Sequence, residues 1–193
     1  MDLVWGNEKA SKFVTNVGLI TTEGPNGANI MAAEWTYYVS WSPALIAVHL
    51  GGGKTAKATS ENIMATREFG VNIAASGQNV ISSIAGGSSG RDVDKMAVLK
   101  EMGVQFYPAK GIKPALLRGA AINIECKLME AKELGDHTMF IGEVVSIEAD
   151  LAKEPLLYSF GKYYARGEQL HKPEQAVLAQ IEQLKARFSK RKA

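Results

Sequence analysis

The stretch 121-AINIECKLMEAKELGDHTMFIGEVVSIEAD-150 decides the fold. From Ala121 to Leu128, Ile122, Ile124, Cys126 and Leu128 alternate with Ala121, Asn123, Glu125 and Lys127. A period of two predicts a strand with one dry and one wet face. Gly135-Asp136 is a turn signal, and His137–Asp150 returns as a second long strand. Two long antiparallel strands joined by a tight turn cannot be half of a βαβ unit.

The same grammar extends upstream. Phe13–Thr22 reads as a strand, and Glu23-Gly24-Pro25-Asn26-Gly27 is a dense turn signal. Ala28–Trp41 is one long extended segment, broken by Ser42-Pro43 before the apolar run Ala44–Leu50. Such short connections predict an antiparallel meander. Helices are expected at Thr55–Arg67, Asn79–Ala85 and Asp94–Met102, with a further strand at Phe69–Ala74. Between Pro173 and Lys190, Val177, Ile181, Leu184 and Phe188 fall on one helical face, which needs a surface to dock on. The pattern predicts a mainly β protein, a β-barrel decorated by helices. With neither an internal repeat nor a low-complexity linker in 193 residues, one domain is the simplest organisation.

Composition narrows the function classes. The net charge of +2 argues against a nucleic-acid partner. One cysteine allows no internal disulfide, and three scattered histidines show no metal-ligand spacing, so no metal site is expected. The sequence shows no membrane-length apolar run and no signal-peptide pattern, which predicts a cytoplasmic protein with no membrane partner. No G-x-S-x-G elbow supports a hydrolase.

Chemistry concentrates at 44-ALIAVHLGGGKTAK-57. Glycines allow close backbone approach, and a helix N-terminus favours an anion. Lys54 and Thr55 add a charge and a hydroxyl. A Walker A loop would need glycine at Val48, and a dinucleotide fingerprint over Gly51, Gly53 and Ala56 lacks its downstream acid. Phosphate binding and a plain glycine turn therefore stand level. Gly86–Gly90 is a flexible loop or a second backbone-rich ligand contact. Cys126, alternating with isoleucines, reads as a buried structural thiol. His49 reads as a core histidine near a strand end, and His171 as a solvated linker residue. His137, at the mouth of a strand, reads either as a proton-exchanging ligand contact or as a hairpin histidine paired with Asp136 or water. Trp35, Tyr37 and Trp41 share one strand parity and Tyr38 the other, a pattern of core or dimer surface.

The order of these segments carries a resemblance. A strand holding Asn29, Ala33 and Trp35 is followed by Ser40 and Pro43, an apolar strand and a Gly-Lys-Thr turn into a helix. Phe69-Gly70-Val71-Asn72-Ile73, Ser89-Gly90 with Asp94-Lys95, and Gly135-Asp136-His137 before Ile141-Gly142-Glu143-Val144 come next, then Leu157-Tyr158 to Tyr163. From about Ser11 to Tyr164 the chain resembles the flavin reductase-like, FMN-binding split-barrel family, including its flavoredoxin and ferric reductase-type members.

That resemblance implies an antiparallel Greek-key split barrel with a C-terminal helix, forming a homodimer with flavin near the interface. It implies FMN rather than FAD as cofactor, NAD(P)H as a candidate donor of hydride to flavin N5, and a small-molecule or protein electron acceptor. A flavoredoxin-like electron carrier without its own nicotinamide site is the alternative, and a module for another phosphorylated ligand a third reading. By position, Asn29, Met31, Ala32, Ala33, Glu34 and Trp35 would line the isoalloxazine. Ser40, His49, Leu50 and Gly51 would border it, and Lys54 and Thr55 would hold the phosphate. His137 would lie beside the flavin or nicotinamide as the candidate catalytic residue. Glu34 stands where many members carry a hydroxyl, and Ser42-Pro43-Ala44 where many carry two prolines.

Overall fold

The computed structural model describes residue 3, residues 6–52 and residues 56–189. The strands are β1 (Thr15–Asn16), β2 (Gly18–Gly24), β3 (Gly27–Ala33), β4 (Thr36–Trp41), β5 (Ala44–Gly51) and β6 (Glu68–Ile73). They continue as β7 (Phe106–Tyr107), β8 (Leu116–Leu117), β9 (Ile122–Leu134), β10 (His137–Ala149), β11 (Leu157–Ser159) and β12 (Lys162–Tyr164). The helices are α1 (Ala58–Thr66), α2 (Asn79–Gly87), α3 (Lys95–Glu101) and α4 (Gln175–Arg187). Among the described residues, no helix is long and apolar enough to cross a membrane.

The predicted β9–β10 hairpin forms, turning at Gly135 with φ +63°. The main sheet has seven strands in the order β3-β2-β6-β9-β10-β5-β4, all neighbours antiparallel. Its two edges, β3 and β4, are consecutive in the chain, with only Glu34 and Trp35 between them. A two-residue link between opposite edges forces the sheet to curl into a barrel. The barrel remains split there, because β3 and β4 do not pair. The expectation of a single extended segment and a simple meander is thus corrected. Ala28–Trp41 is two strands, and its break is the seam.

The seam is held by side chains. Thr36, almost fully buried, donates its hydroxyl to Ala33 O at 3.1 Å, and Asn16 Nδ2 donates to Thr36 O at 3.0 Å. Gly18 on β2 faces Thr36 so closely that a Cβ there would collide with its side chain.

Inside the barrel, Ile20, Val48, Leu50, Phe69, Val71, Ile124, Cys126 and Phe140 form one buried cluster. Burial pushes the Cys126 thiol up to about 12, the inert thiol its alternation predicts. The other face of β9 is drier than its pattern suggests, since Glu125 is buried. The loop and short β7–β8 hairpin cover it. Glu125 accepts from the Lys110 and Gly111 N–H groups, while Asn123 Nδ2 donates to Leu117 O and to Asn72 Oδ1. Polar alternation marks a strand's second face, but a distant loop can still bury it.

A second cluster, including Leu19, Ile30, Met96, Leu99 and Leu117, lies outside the barrel under α2 and α3. Tyr163 on β12 docks the three-stranded β1-β11-β12 sheet there, its hydroxyl donating to Ser82 Oγ at 3.1 Å. The parity of the β4 aromatics is corrected by a register shift after Tyr38. Tyr38 pairs with Ile46 and Trp41 with Ala44, so these two share a face. No described residue of α4 is buried, and Val177, Leu178, Leu184 and Phe188 are exposed.

Candidate functional site

In the glycine-rich stretch after β5, Gly53, Lys54 and Thr55 lie outside the described residues, so the expected phosphate ligands Lys54 and Thr55 are not placed. Helix α1 begins at Ala58, later than expected, with Lys57 as its N-cap and no side-chain cap hydrogen bond. Its first amide groups therefore carry the unsatisfied partial positive charge of a helix start.

Those amides border a cavity of about 460 Å³ between β3, the start of α1, the end of α2 and the loop that follows. Asn29, Met31 and Ala32 form its floor and Gly52 part of its rim. Asn29 is buried and ties two walls together, its Nδ2 donating to Thr59 Oγ1 at 2.9 Å. The 88–91 loop closes above it because residue 90 is glycine; a Cβ there would lie 2.5 Å from Asn29 Oδ1. The loop is ordered by its own bonds: Ser89 Oγ accepts from Arg91 N–H, and Ser89 O from the Asp92 and Val93 N–H groups. Gly86 and Gly87, read from sequence as loop, belong to α2.

The described lining contains Lys57, Arg91 and Lys95 and no carboxylate. Arg91 pairs outward with Glu61 at 2.6 Å. Lys95 is the unusual member, being 3% exposed. Its Nζ donates to Ala85 O at 2.9 Å, and none of the described ion pairs includes it. Burial first, and the nearby Lys57 charge second, bring its pKa down to about 8. A buried ammonium without a counter-ion is costly unless an anion completes the site. The chemistry of the lining fits a phosphate monoester or diester.

A second group adjoins the cavity through Gly51 and Gly52. Gly51 pairs with His137 across β5–β10, and the Gly52 N–H donates to Asp136 O at 3.3 Å. The Trp35 indole stacks on the His137 imidazole, centroids 4.5 Å apart at 26°. His49 meets the same indole edge-on at 6.2 Å. His137 Nδ1 lies 2.7 Å from Asp136 Oδ1, and that hydrogen bond, with the His137 charge, holds the Asp136 carboxyl below its ordinary value. In the neutral ring, Nδ1–H donating to Asp136 makes Nε2, over Gly51, the acceptor; in the charged ring Nε2 is a second donor. A Cβ at residue 51 would lie 2.9 Å from that Nε2.

Not every expected residue converges here. Ala33 and Leu50 are buried in the barrel. Ser40 pairs with Leu45, at the far end of β5 from Gly51, roughly 20 Å away along the strand. Burial raises the pKa of Glu34; its charge acts on Tyr37 and Tyr158, and it does not line the cavity. Sequence reading missed Lys57, Thr59 and Arg91 as cavity residues and gave Lys95 no role. The available signal was the Asp94-Lys95 dipeptide after a glycine-rich loop, but only the packing of α3 shows the lysine turned inward.

The flavin reductase-like domain model matches residues 10–167. The chain belongs to the flavin reductase-like domain family. An NADH-dependent FAD reductase of Streptomyces globisporus is 29% identical over 152 residues, 78% of this chain and 79% of that protein. An FMN reductase (NADH) of Ancylobacter novellus is 26% identical over 149 residues, 77% of each chain. The solved flavoredoxin of Desulfovibrio vulgaris (Miyazaki F) superposes with a TM-score of 0.72 at 26% identity, covering 92% of this chain and 100% of that one. In this chain the split barrel with its β3–β4 seam carries the cationic cavity and the Trp35–His137 pair.

Proposed function

We propose that this family member is a cytoplasmic NAD(P)H-dependent flavin reductase whose cavity holds the ribityl phosphate of FMN, with the isoalloxazine toward Trp35. The observation that carries the reading is a lining without a carboxylate among the described residues, with buried Lys95, beside the stacked Trp35–His137 pair. Lys57, Arg91, Lys95 and the α1 amides neutralise the phosphate, while Asn29 and the 88–91 loop fix the width of the cavity. The backbone of Asn29 to Trp35 runs alongside the ring, and Lys54 and Thr55 are read as adding to the phosphate grip. When bound, the flavin supplies a hydride acceptor at N5, chemistry that belongs to the cofactor. The protein's share is alignment and charge, so no general base is required of it.

His137 is placed to dock the donor or to pass a proton through Nε2, with Asp136 fixing its tautomer. His137→Ala is expected to lower turnover about 100-fold, the low end for loss of a positioned acid–base group, with little change in flavin affinity. Stopped-flow bleaching of the flavin band under anaerobic NADH measures the first, and flavin titration the second. Unchanged bleaching would remove His137 from the reaction. Protein that binds flavin but is not bleached by NADH or NADPH would instead favour an FMN-holding electron carrier, the reading that the flavoredoxin likeness supports. Colourless protein that takes up neither FMN nor FAD would refute both.

The chain is read as one domain with a barrel core at about 11–164 and a helix at about 173–190, working as a homodimer. The exposed apolar residues of α4 and the exposed Tyr38, Val39 and Trp41 of β4 support that reading. The acceptor is a small molecule or a partner protein.

A further inference from the structure

The link that closes the barrel also carries an aromatic ring into the candidate site. Trp35 is one of the two residues joining β3 to β4, and its indole stacks on His137. Short bonds fix the backbone around it. Thr36 ties back to Ala33 O through its hydroxyl, and the Thr36 N–H donates to Glu34 O at 3.2 Å. The Trp35 carbonyl accepts the His49 N–H from β5 at 3.0 Å, and the His49 ring meets the indole edge-on. The contacts that hold the seam therefore also aim the indole.

The imidazole beneath it has little freedom left. Asp136 engages Nδ1, the indole covers one face, and Gly51 stands beside Nε2. The His137 side chain is 25% exposed, against 85% for Asp136. A carboxylate that open to water is a weak anchor, because water and side-chain rotation compete with a single hydrogen bond. A flat indole 4.5 Å away supplies the missing restraint, since turning the imidazole out of its plane would drive it into the indole. With Nδ1 engaged and one face covered, the Nε2 edge is where glycine leaves room for a ligand.

We infer that Trp35 is a positioning residue for His137: its indole holds the imidazole with Nε2 over Gly51, and its contribution to turnover passes through that histidine. The inference rests on the reading of His137 given above and deepens it. A direct role, with the indole serving only as a surface for the isoalloxazine, makes the opposite prediction in a double-mutant cycle.

The test is that cycle, run on wild type, Trp35→Leu, His137→Ala and the double variant. It is read as the anaerobic bleaching rate of the flavin band under saturating NADH. Nitrogen NMR spectra of isotope-labelled histidine rings in the flavin-free protein accompany it. Trp35→Leu should slow bleaching about tenfold, the upper worth of one aromatic pair. In the His137→Ala background it should cost nothing further, since no ring is left to hold. Trp35→Phe, which keeps a flat ring, should recover most of the loss. In the spectra, the neutral His137 ring should be a single Nδ1–H tautomer in wild type and a mixture of both tautomers in Trp35→Leu. An undiminished loss in the His137→Ala background overturns the inference and assigns the indole to the flavin directly. A tautomer unmoved by Trp35→Leu overturns it as well. If Trp35→Leu does not fold, Trp35→Met, unbranched and adaptable, carries the same expectations. Unchanged bleaching in His137→Ala alone defeats the reading of His137 itself, a result distinct from either of these.

Discussion

Lys95→Met should weaken FMN binding at pH 7 about 10- to 100-fold, the equivalent of one charge-assisted hydrogen bond, without lowering the melting temperature of the flavin-free protein. The two halves of this result have one cause. Lys95 is buried, hydrogen-bonded to Ala85 O, and lines a cavity with no carboxylate among its described residues. Without a ligand, the ammonium is an uncompensated buried charge, and removing it relieves the fold. With a phosphate present, the same charge is the partner most shielded from water. A purely structural lysine would behave oppositely, losing stability on mutation and leaving affinity alone.

The pH dependence separates these further. The folded protein releases the Lys95 proton near pH 8, against 10.5 for a free lysine. Between those values the unfolded chain binds more protons than the folded one, so this residue makes the flavin-free protein more stable as pH rises through that window. Flavin affinity should move the other way, falling as pH passes upward through about 8. Bound phosphate favours the protonated form, so the fall begins near 8 and levels off only above the raised value in the complex. In Lys95→Met both trends should disappear. A wild-type affinity flat from pH 7 to 10 would show that the ammonium does not meet the ligand.

Gly142→Val should damage the barrel core severely. Gly142 on β10 lies under Phe69, and a Cβ there would be 2.5 Å from Phe69 Cζ and 2.7 Å from Cys126 Cβ. Phe69 has 0% exposure and Cys126 the same, so neither can swing into solvent. Overpacking of this kind costs about 3 kcal/mol, or roughly 6–12 °C of melting temperature for a chain of this size. Phe69→Leu removes the atom nearest the new side chain. It should cost stability alone but much less in the Gly142→Val background, with a coupling of about 0.5–3 kcal/mol. Strict additivity in that double-mutant cycle would mean that the ring and the glycine are not in contact.

These experiments probe features that differed in how readable they were. The β9–β10 hairpin was visible from its alternation and its Gly-Asp turn, because strand period and turn chemistry act between near neighbours. Asp94 was visible as a helix start, and it does accept the Ala97 N–H. Gly142 stood in a quoted motif without a reason attached; the reason is Phe69, which reaches it only across two paired strands. The seam at Glu34 and Trp35 was read as continuous strand, since nothing in Ala28–Trp41 tells one sheet edge from the other. Likewise Glu125 looked like a wet-face acid until the 105–118 segment folded over it. The Tyr38–Trp41 parity failed at a single register shift, where β4 carries one extra residue, Val39, against β5.

From residue order alone came the barrel's strands, the polar and apolar faces most of them carry, and the family to which the chain belongs, because periodicity and turn signals are local. Closure of the sheet was settled in three dimensions, where a two-residue link had to join opposite edges. That same closure carried β3 beneath α1, α2 and α3. It thereby gathered Asn29, Lys57, Arg91 and Lys95, distant in the chain, around one space with the right charge for an anion. Electrostatic complementarity of this kind depends on distances between side chains, and those exist only once the core has packed.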